Sequence, residues 1–325
     1  MRRMICTQFG DPELLQFVEE PTPEAGPGEV LIETEAAGVS FVDGLIVRGA
    51  YQVKPPLPFT PGNCLVGVVV AVGAGVDTAL MGQRVATVLD GIGGAYSSHV
   101  VVAAYAVAVV PDGIATELAA ASMESYLTLT FGTTHRVSIT PGEQVVVLGA
   151  GGGIGLAAVD IARGLGASVT AVASTEEKRA VALKAGASAA IGYDNLKDQI
   201  RQATGGGADV VIDPVGGAAA ESALRALATG GRYCVVGFAS GKIPRLPTNV
   251  VLLRNRSVVG IDWGDWSREV GGVVGNVRLL EDVFARIAVG DLHPPTPSVA
   301  PLVDAGQVLK LIAARRAVGK YVLKP

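Results

Sequence analysis

Two textures of apolar and polar residues divide the chain. Through about residue 110, runs dense in valine and isoleucine, EVLIETEAAGV, GVVVAVGAGV and RVATVL, are separated by GPGE, PPLP and PDG. Short apolar runs between Gly, Pro and Asp punctuation predict the strands of a small barrel or sandwich, with no long amphipathic helix. From about Thr116 the period changes. ATELAAASMESYLTLTFGTTHRV is helical in character, and ITPGEQVVVLGAGGGIGLAAVDIARGLGASVTAVAS reads strand, glycine loop, helix, strand. The alternation continues through KRAVALKAGA (helix), SAAIGY (strand), NLKDQIRQATGG (helix), ADVVIDPVGG (strand), AAAESALRALATGG (helix), RYCVVGF (strand) and RSVVGIDWG (strand). Strands alternating with helices mean crossover units and a parallel sheet, so a doubly wound α/β domain is expected over 124–265. The tail reads as two helices around a Pro-rich loop and a last strand, KYVLKP. It is too small to bury a core of its own and is expected to dock on the first domain.

Composition narrows the class. A chain of 325 residues has room for two domains, and 49% hydrophobic with 17% charged residues is the composition of well-buried α/β cores. A net charge of −4 argues against a nucleic-acid partner. Cys6, Cys64 and Cys234 are scattered and odd in number, which predicts free thiols in a reducing, cytoplasmic setting. The N-terminus has no continuous apolar core to make a signal peptide. The most apolar stretch, Val100 to Val110, is too short to span a membrane.

The glycine loop carries the chemistry. In VVVLGAGGGIGLAAV, a buried strand (Val145 to Leu148) runs into glycines and then a helix. Read as a dinucleotide fingerprint, Ala150 makes the tight turn, Gly152 lets backbone N–H groups of the loop, with Gly153 and Ile154, approach a pyrophosphate, and Gly155 packs helix on strand. The end of the second strand selects the cofactor. An acidic residue there would suit the ribose of NAD, whereas Ser174 and the nearby Lys178 suit the extra phosphate of NADP(H). Glu176 and Glu177 oppose that preference only if they point inward, and Lys178 can equally be a solvated helix lysine.

With these segments in place, the chain resembles the zinc-independent quinone oxidoreductases of the medium-chain dehydrogenase/reductase superfamily, the group that includes zeta-crystallin. AAGVSFVDGLIVRGAYQVKPPLPFTPG resembles the family's GVNxxDxxxRxGxY…PxxPG stretch, and GQRVATVLDGIGGAYSSHVVV its GDRV…GGYAEY segment. VLGAGGGIGLAAVDIARGLGASV is similar to its glycine loop, LLRNRSVVGIDWG to its LLxKxxSVxG segment, and GKYVLKP to its closing GKxVL strand. The resemblance implies a GroES-like β-rich catalytic domain (1–123 and 266–325), a Rossmann NADP-binding domain (124–265), and an active site in the cleft. It also implies a homodimer or tetramer joined through an edge strand, here RSVVGI.

The resemblance implies residue roles as well. Thr128 matches a threonine beside the nicotinamide, Tyr193 a tyrosine near the adenosine phosphate, and Gly237, Phe238 and Asn255 the loops that close on the nicotinamide end. Asp43 matches the Asp of N-x-x-D, whose Asn is Ser40 here; with Tyr51 and Thr128, these two are the candidate catalytic residues that the resemblance implies. Thr128 can instead bond its own helix backbone. Tyr51 can donate to a quinone or enone oxygen, or serve as an aromatic cap on the barrel. Zinc-dependent cousins place Cys, His and Glu ligands where this chain has Ser40, Asn63 and Cys64, so no metal is expected. Cys64, in PFTPGNCLVG, is read as a packed small hydrophobe. His135 and His293 are read as surface residues, and Trp263 and Trp266 as packing at the domain junction or subunit contact. The function expected is NADPH-dependent reduction of a small hydrophobic carbonyl or quinone, with no nucleic-acid or membrane partner. An enoyl-thioester reductase, using basic residues such as Arg48, Lys54 or Arg245 to meet coenzyme A, and a low-turnover NADPH-binding sensor are the competing readings.

Overall fold

The computed structural model describes residues 1–89 and 93–325; Asp90, Gly91 and Ile92, within the GQRVATVLDGIGG segment, lie outside the described residues. The chain forms two compact units, Met1–Leu127 with Gly264–Gly290 and Thr296–Pro325, and Thr128–Trp263 with Asp291–Pro295.

The first unit is β-rich, as its valine runs predict. β1 (Arg2–Ile5) and β2 (Gln16–Glu19) form a hairpin-like pair. β3 (Glu29–Val39), followed by the helix α1 (Phe41–Val47), is the spine of a seven-stranded sheet. It pairs with β4 (Cys64–Val72) on one side, and β5 (Arg84–Val88), β6 (His99–Ala103) and β7 (Val107–Val109) complete the N-terminal strands. Val30, Ile32, Leu65, Val69 and Val85 alternate inward to make its core. The helix α2 (Thr116–Phe131) leads on to the second unit.

That unit is a parallel sheet of β8 (Gln144–Leu148), β9 (Ser168–Val172), β10 (Ala189–Ile191), β11 (Ala208–Asp213), β12 (Leu227–Val235) and β13 (Ser257–Gly260). The order is β10-β9-β8-β11-β12-β13, with every pair parallel. Val145 to Leu148 are fully buried, which explains the unbroken apolar run of a strand covered on both faces. The crossovers carry α3 (Gly153–Gly164), α4 (Glu176–Lys184), α5 (Leu196–Ala203) and α6 (Ala219–Ala226), and α7 (Thr248–Leu252) precedes β13. Because β8 is followed by strands on one side and then by β11 on the other, the strand order reverses between β8 and β11. Open α/β sheets bind ligands beyond the strand ends at such a point.

Two segments differ from the sequence expectation. LATGG, read as the end of a helix, is the start of β12, because Leu227 pairs with Ala208 before the register shifts at a bulge. In the tail, α8 (Trp263–Trp266), α9 (Gly272–Ala288) and α10 (Ala305–Ala313) are helical, but the Pro-rich loop also contributes β14 (Ser298–Pro301). β14 runs parallel to β15 (Tyr321–Lys324) at the sheet edge, where proline is tolerated, and β15 pairs with β3. Among the described residues, no helix is long and apolar enough to cross a membrane.

A reciprocal cap fixes α1. The Ser40 hydroxyl accepts from the Asp43 N–H at 3.0 Å, and the Asp43 carboxylate accepts from the Ser40 N–H at 2.7 Å. The Tyr96 hydroxyl adds a third bond to the same carboxylate oxygen at 2.9 Å. Asp43 and Tyr96 are buried. Burial lifts the Asp43 carboxyl from 3.8 to about 6; the Ser40 N–H, the Tyr96 hydroxyl and the Lys320 charge oppose the rise, and the Glu124 charge adds to it. The folded value exceeds the unfolded one, so the stability present below the unfolded value is lost as pH rises toward about 6. That gap corresponds to about 3 kcal/mol. Asp43→Asn, which cannot ionise, should gain about that much relative to the parent between pH ~4 and ~7 in urea unfolding. A difference that does not vary with pH would contradict this.

Candidate functional site

The loop after β8 is shaped by two close approaches. Gly149 takes φ 61°, so the left-handed turn falls there. This differs from the expectation for Ala150, which is instead fully buried with its N–H donating to the Val172 carbonyl at 3.0 Å. A Cβ on Gly155 would lie 2.3 Å from the Gly149 oxygen, so only glycine lets α3 start this close to β8. Gly152 is the extended N-cap of α3, with no side-chain hydrogen bond at the cap. Gly152, Gly153 and Ile154 are half-buried, and a Cβ on Gly152 would meet nothing nearer than the Gly149 oxygen at 3.6 Å. Helix polarity and this open glycine backbone fit a dinucleotide pyrophosphate.

Around the loop, the tips of β9 and β10 place their polar residues. Ser174 and Thr175 are exposed beyond β9, and the Thr175 hydroxyl caps α4 by accepting from the Lys178 N–H at 3.2 Å. The Lys178 stem crosses the loop, since a Cβ on Gly151 would fall 2.6 Å from the Lys178 Cβ. Glu176 and Glu177 are exposed in the first turn of α4, where acidic residues suit the helix dipole. The Tyr193 hydroxyl accepts from the Gly149 N–H at 3.0 Å, which ties the end of β10 to the turn. Lys178 and Tyr193 thus meet at the glycine loop.

A second pair of loops closes the other side of the switch point. The buried Asp213 carboxylate accepts from the N–H groups of Val215 and Gly216 at 2.7 and 2.9 Å, and from the Tyr233 hydroxyl. Burial and the Asp213 charge push the Tyr233 phenol up, so it stays a donor. Anchored this way, Val215 packs on the turn, its Cγ2 being 2.7 Å from where a Gly149 Cβ would stand. The 237–242 segment is knitted to this loop by Ala239 N–H to Pro214 O and Gly217 N–H to Lys242 O, both 3.0 Å. Phe238 is partly exposed with its ring against Gly216, and Gly237 lies beside Pro214. Asn255 is exposed in a left-handed turn at φ 52°, before β13. Sequence reasoning passed over Asp213 and Tyr233, although an aspartate ending a buried strand before PVGG was a visible sign of a capped loop.

Ser40 and Asp43 have their side chains committed to the α1 cap. Tyr51 is half-buried, and Thr128 is buried on α2. Gly62 lets the Tyr96 ring lie against PFTPGNCLVG, its missing Cβ leaving the space 2.3 Å from the ring's Cδ1. Cys64 is a buried free cysteine whose thiol is pushed well up, by burial first and then by the Glu124 and Asp43 charges. It is a protonated packing group and not a thiolate. Nearby, Lys320 and Glu124 pair at 3.1 Å with both side chains largely buried. Among the described residues, no three of His, Cys, Asp and Glu are grouped so as to hold a metal ion. His135 and His293 are exposed, the first stacked on Phe131 and the second bonded to Arg163. Trp266 packs within the first unit against Gly271 and Gly275.

The chain matches the family models described as alcohol dehydrogenase GroES-like domain, over residues 26–112, and zinc-binding dehydrogenase, over residues 153–277. It is 35% identical to quinone oxidoreductase-like protein 2 of Rattus norvegicus, covering 99% of this chain and 91% of that protein. It is 33% identical to the quinone oxidoreductase of Homo sapiens, covering 99% of this chain and 97% of that one. Among solved structures, the Escherichia coli quinone oxidoreductase complexed with NADPH superposes with a TM-score of 0.89 at 30% identity, with both chains fully covered. The quinone oxidoreductase of Thermus thermophilus, solved alone and with NADPH, gives 0.85 at 33% identity, again over the whole of both chains. The order of the parallel strands, the glycine loop and this similarity along the whole length agree: the chain belongs to the quinone oxidoreductase family of the medium-chain dehydrogenase/reductase superfamily.

Proposed function

We propose that the chain is a cytoplasmic NADPH-dependent reductase of quinones or α,β-unsaturated carbonyls that works without zinc. The observation that carries the cofactor reading is the passage of Lys178 over Gly151, beside a strand tip that offers hydroxyls in place of a carboxylate. Relatives described as complexed with NADPH support it. Bound there, NADPH supplies the hydride. The backbone around Gly152, Gly153 and Ile154 faces the pyrophosphate, with Ala150 and Gly155 setting the path of the loop. Ser174, Lys178 and Tyr193 belong to the adenosine end; Thr128, Gly237, Phe238 and Asn255 belong to the nicotinamide end.

The substrate side follows from which polar groups are already spent. Ser40 and Asp43 satisfy each other, so they act by positioning α1 and not by touching substrate. Tyr51, half-buried and matching the tyrosine of the family's RxGxY stretch, is assigned to the acceptor oxygen, its O–H donating a hydrogen bond as negative charge develops there. The donor set does not suit a tetrahedral metal: the Ser40 hydroxyl is committed to the α1 cap and Asn63 is a poor ligand, which leaves the single thiol of Cys64 where three protein ligands are needed. The proton that completes reduction comes from water. The names of the relatives support the quinone class.

The subunit contact is assigned to β13. It is the edge of the six-stranded sheet, Val258 is 43% exposed, and Leu252 and Leu253 beside it are 78% and 62% exposed. An exposed apolar edge strand invites pairing with a second copy.

Three outcomes are expected. NADPH oxidation should be fast with 9,10-phenanthrenequinone or a simple enone and slow with crotonyl-CoA; turnover of the thioester alone would replace this reading with an enoyl-thioester reductase, and tight NADPH binding with no turnover would remove both. Tyr51→Phe should lower kcat about tenfold, the cost of one charge-assisted hydrogen bond, with NADPH affinity unchanged. Val258→Lys should convert a dimer to a monomer in analytical ultracentrifugation, and an unaltered mass would move the contact elsewhere.

A further inference from the structure

We infer that Arg179 is a specificity-determining residue, a second cationic contact for the 2′-phosphate of the adenosine, acting beside Lys178; the inference rests on the NADP(H) reading above. Arg179 is the fourth residue of α4, and its guanidinium turns back over the strand tips instead of following the helix surface. Nη1 donates to the Ala173 carbonyl at 3.2 Å. It lies 3.9 Å from where a Cβ on Gly192 would stand, so the head bridges the ends of β9 and β10. Those ends are themselves joined, since the Ala173 N–H donates to the Ile191 carbonyl at 3.1 Å.

What the guanidinium lacks is as informative. Arg136, Arg201 and Arg256 in the same unit bond backbone carbonyls, and Arg163, Arg225 and Arg232 each hold a carboxylate. Arg179 has none among the described residues, and its single hydrogen bond leaves most of its five donors available. It is half-buried and reaches the strand end where the second ribose of a dinucleotide belongs. The tip also explains why a second cation is needed. Glu176 and Glu177, both exposed in the first turn of α4, set two negative charges near the tip against the one positive charge of Lys178. Arg179 balances the two carboxylates, and its planar fork can take two phosphate oxygens at once. Ser174, exposed just beyond β9, offers the phosphate a hydroxyl at the same strand end.

Calorimetric titration of the full chain with NADPH, NADH and adenosine 2′-monophosphate tests this. The variants are Arg179→Gln, which keeps an N–H for the Ala173 carbonyl but loses the charge, and Arg179→Lys, which keeps the charge but loses the fork. Arg179→Gln should weaken NADPH and adenosine 2′-monophosphate about tenfold and leave NADH within about twofold, and Arg179→Lys should fall between. A wild-type chain with equal affinity for NADPH and NADH would overturn the NADP(H) reading, and the inference with it. A wild-type chain that prefers NADPH, with Arg179→Gln keeping the whole preference, would overturn the inference alone. Equal weakening toward both coenzymes would do the same, because Arg179 would then only brace the strand ends.

Discussion

The site depends on one close approach, that of Gly155 to the Gly149 carbonyl. A side chain at residue 155 would sit 2.3 Å from that oxygen, so α3 could not begin where it does. Because it does begin there, the helix N-terminus opens directly above the end of β8. Three other elements then converge on the same turn. Tyr193 takes the Gly149 N–H, Val215 covers the turn from the far side of the switch point, and the Lys178 stem passes over Gly151. The loop is therefore less a flexible phosphate grip than a packed junction of four strand ends, with a narrow backbone face left open.

The polar chemistry of the β-rich unit has the opposite logic. Several buried groups there satisfy one another, which offsets part of the cost of burying them. Ser40 and Asp43 close the α1 cap, Tyr96 completes it, and Glu124 and Lys320 form a nearly buried pair. Each such bond withdraws a donor or acceptor that a metal or a substrate would have needed. Cys64 sits among these charges as a neutral thiol, raised by burial and by neighbouring carboxylates. Its setting explains why a cysteine in a Pro/Gly turn, a position that invites a catalytic reading, is packing.

The legible parts of the molecule were those fixed by local periodicity. The buried valine run of β8, the glycines behind it and the helix after them could be read in order, because each is decided within a few residues. The start of β12 could not, since ALA continues the alanine-rich helical run AAAESALR and only the ladder with Ala208 makes Leu227 a strand residue. β14 was hidden for the same reason, its pairing with β15 being distant in sequence. Beside the loop, the approach of Lys178 is readable from its spacing after β9. The head of Arg179 is not, because its direction is set by the Ala173 carbonyl. Motif position puts the turn at Ala150, and backbone geometry moves it to Gly149. Asp213 and Tyr233 are partners twenty residues apart, joined only when β11 and β12 lie side by side.

The central claim is hydride transfer from NADPH by a fold whose metal positions hold Ser40, Asn63 and Cys64. It is tested most directly by steady-state NADPH oxidation with 9,10-phenanthrenequinone, on protein dialysed against a strong chelator and verified free of zinc by elemental analysis. Turnover equal to that of untreated protein, with no gain when zinc is restored, is the result predicted. Activity lost on chelation and recovered with zinc would contradict the account.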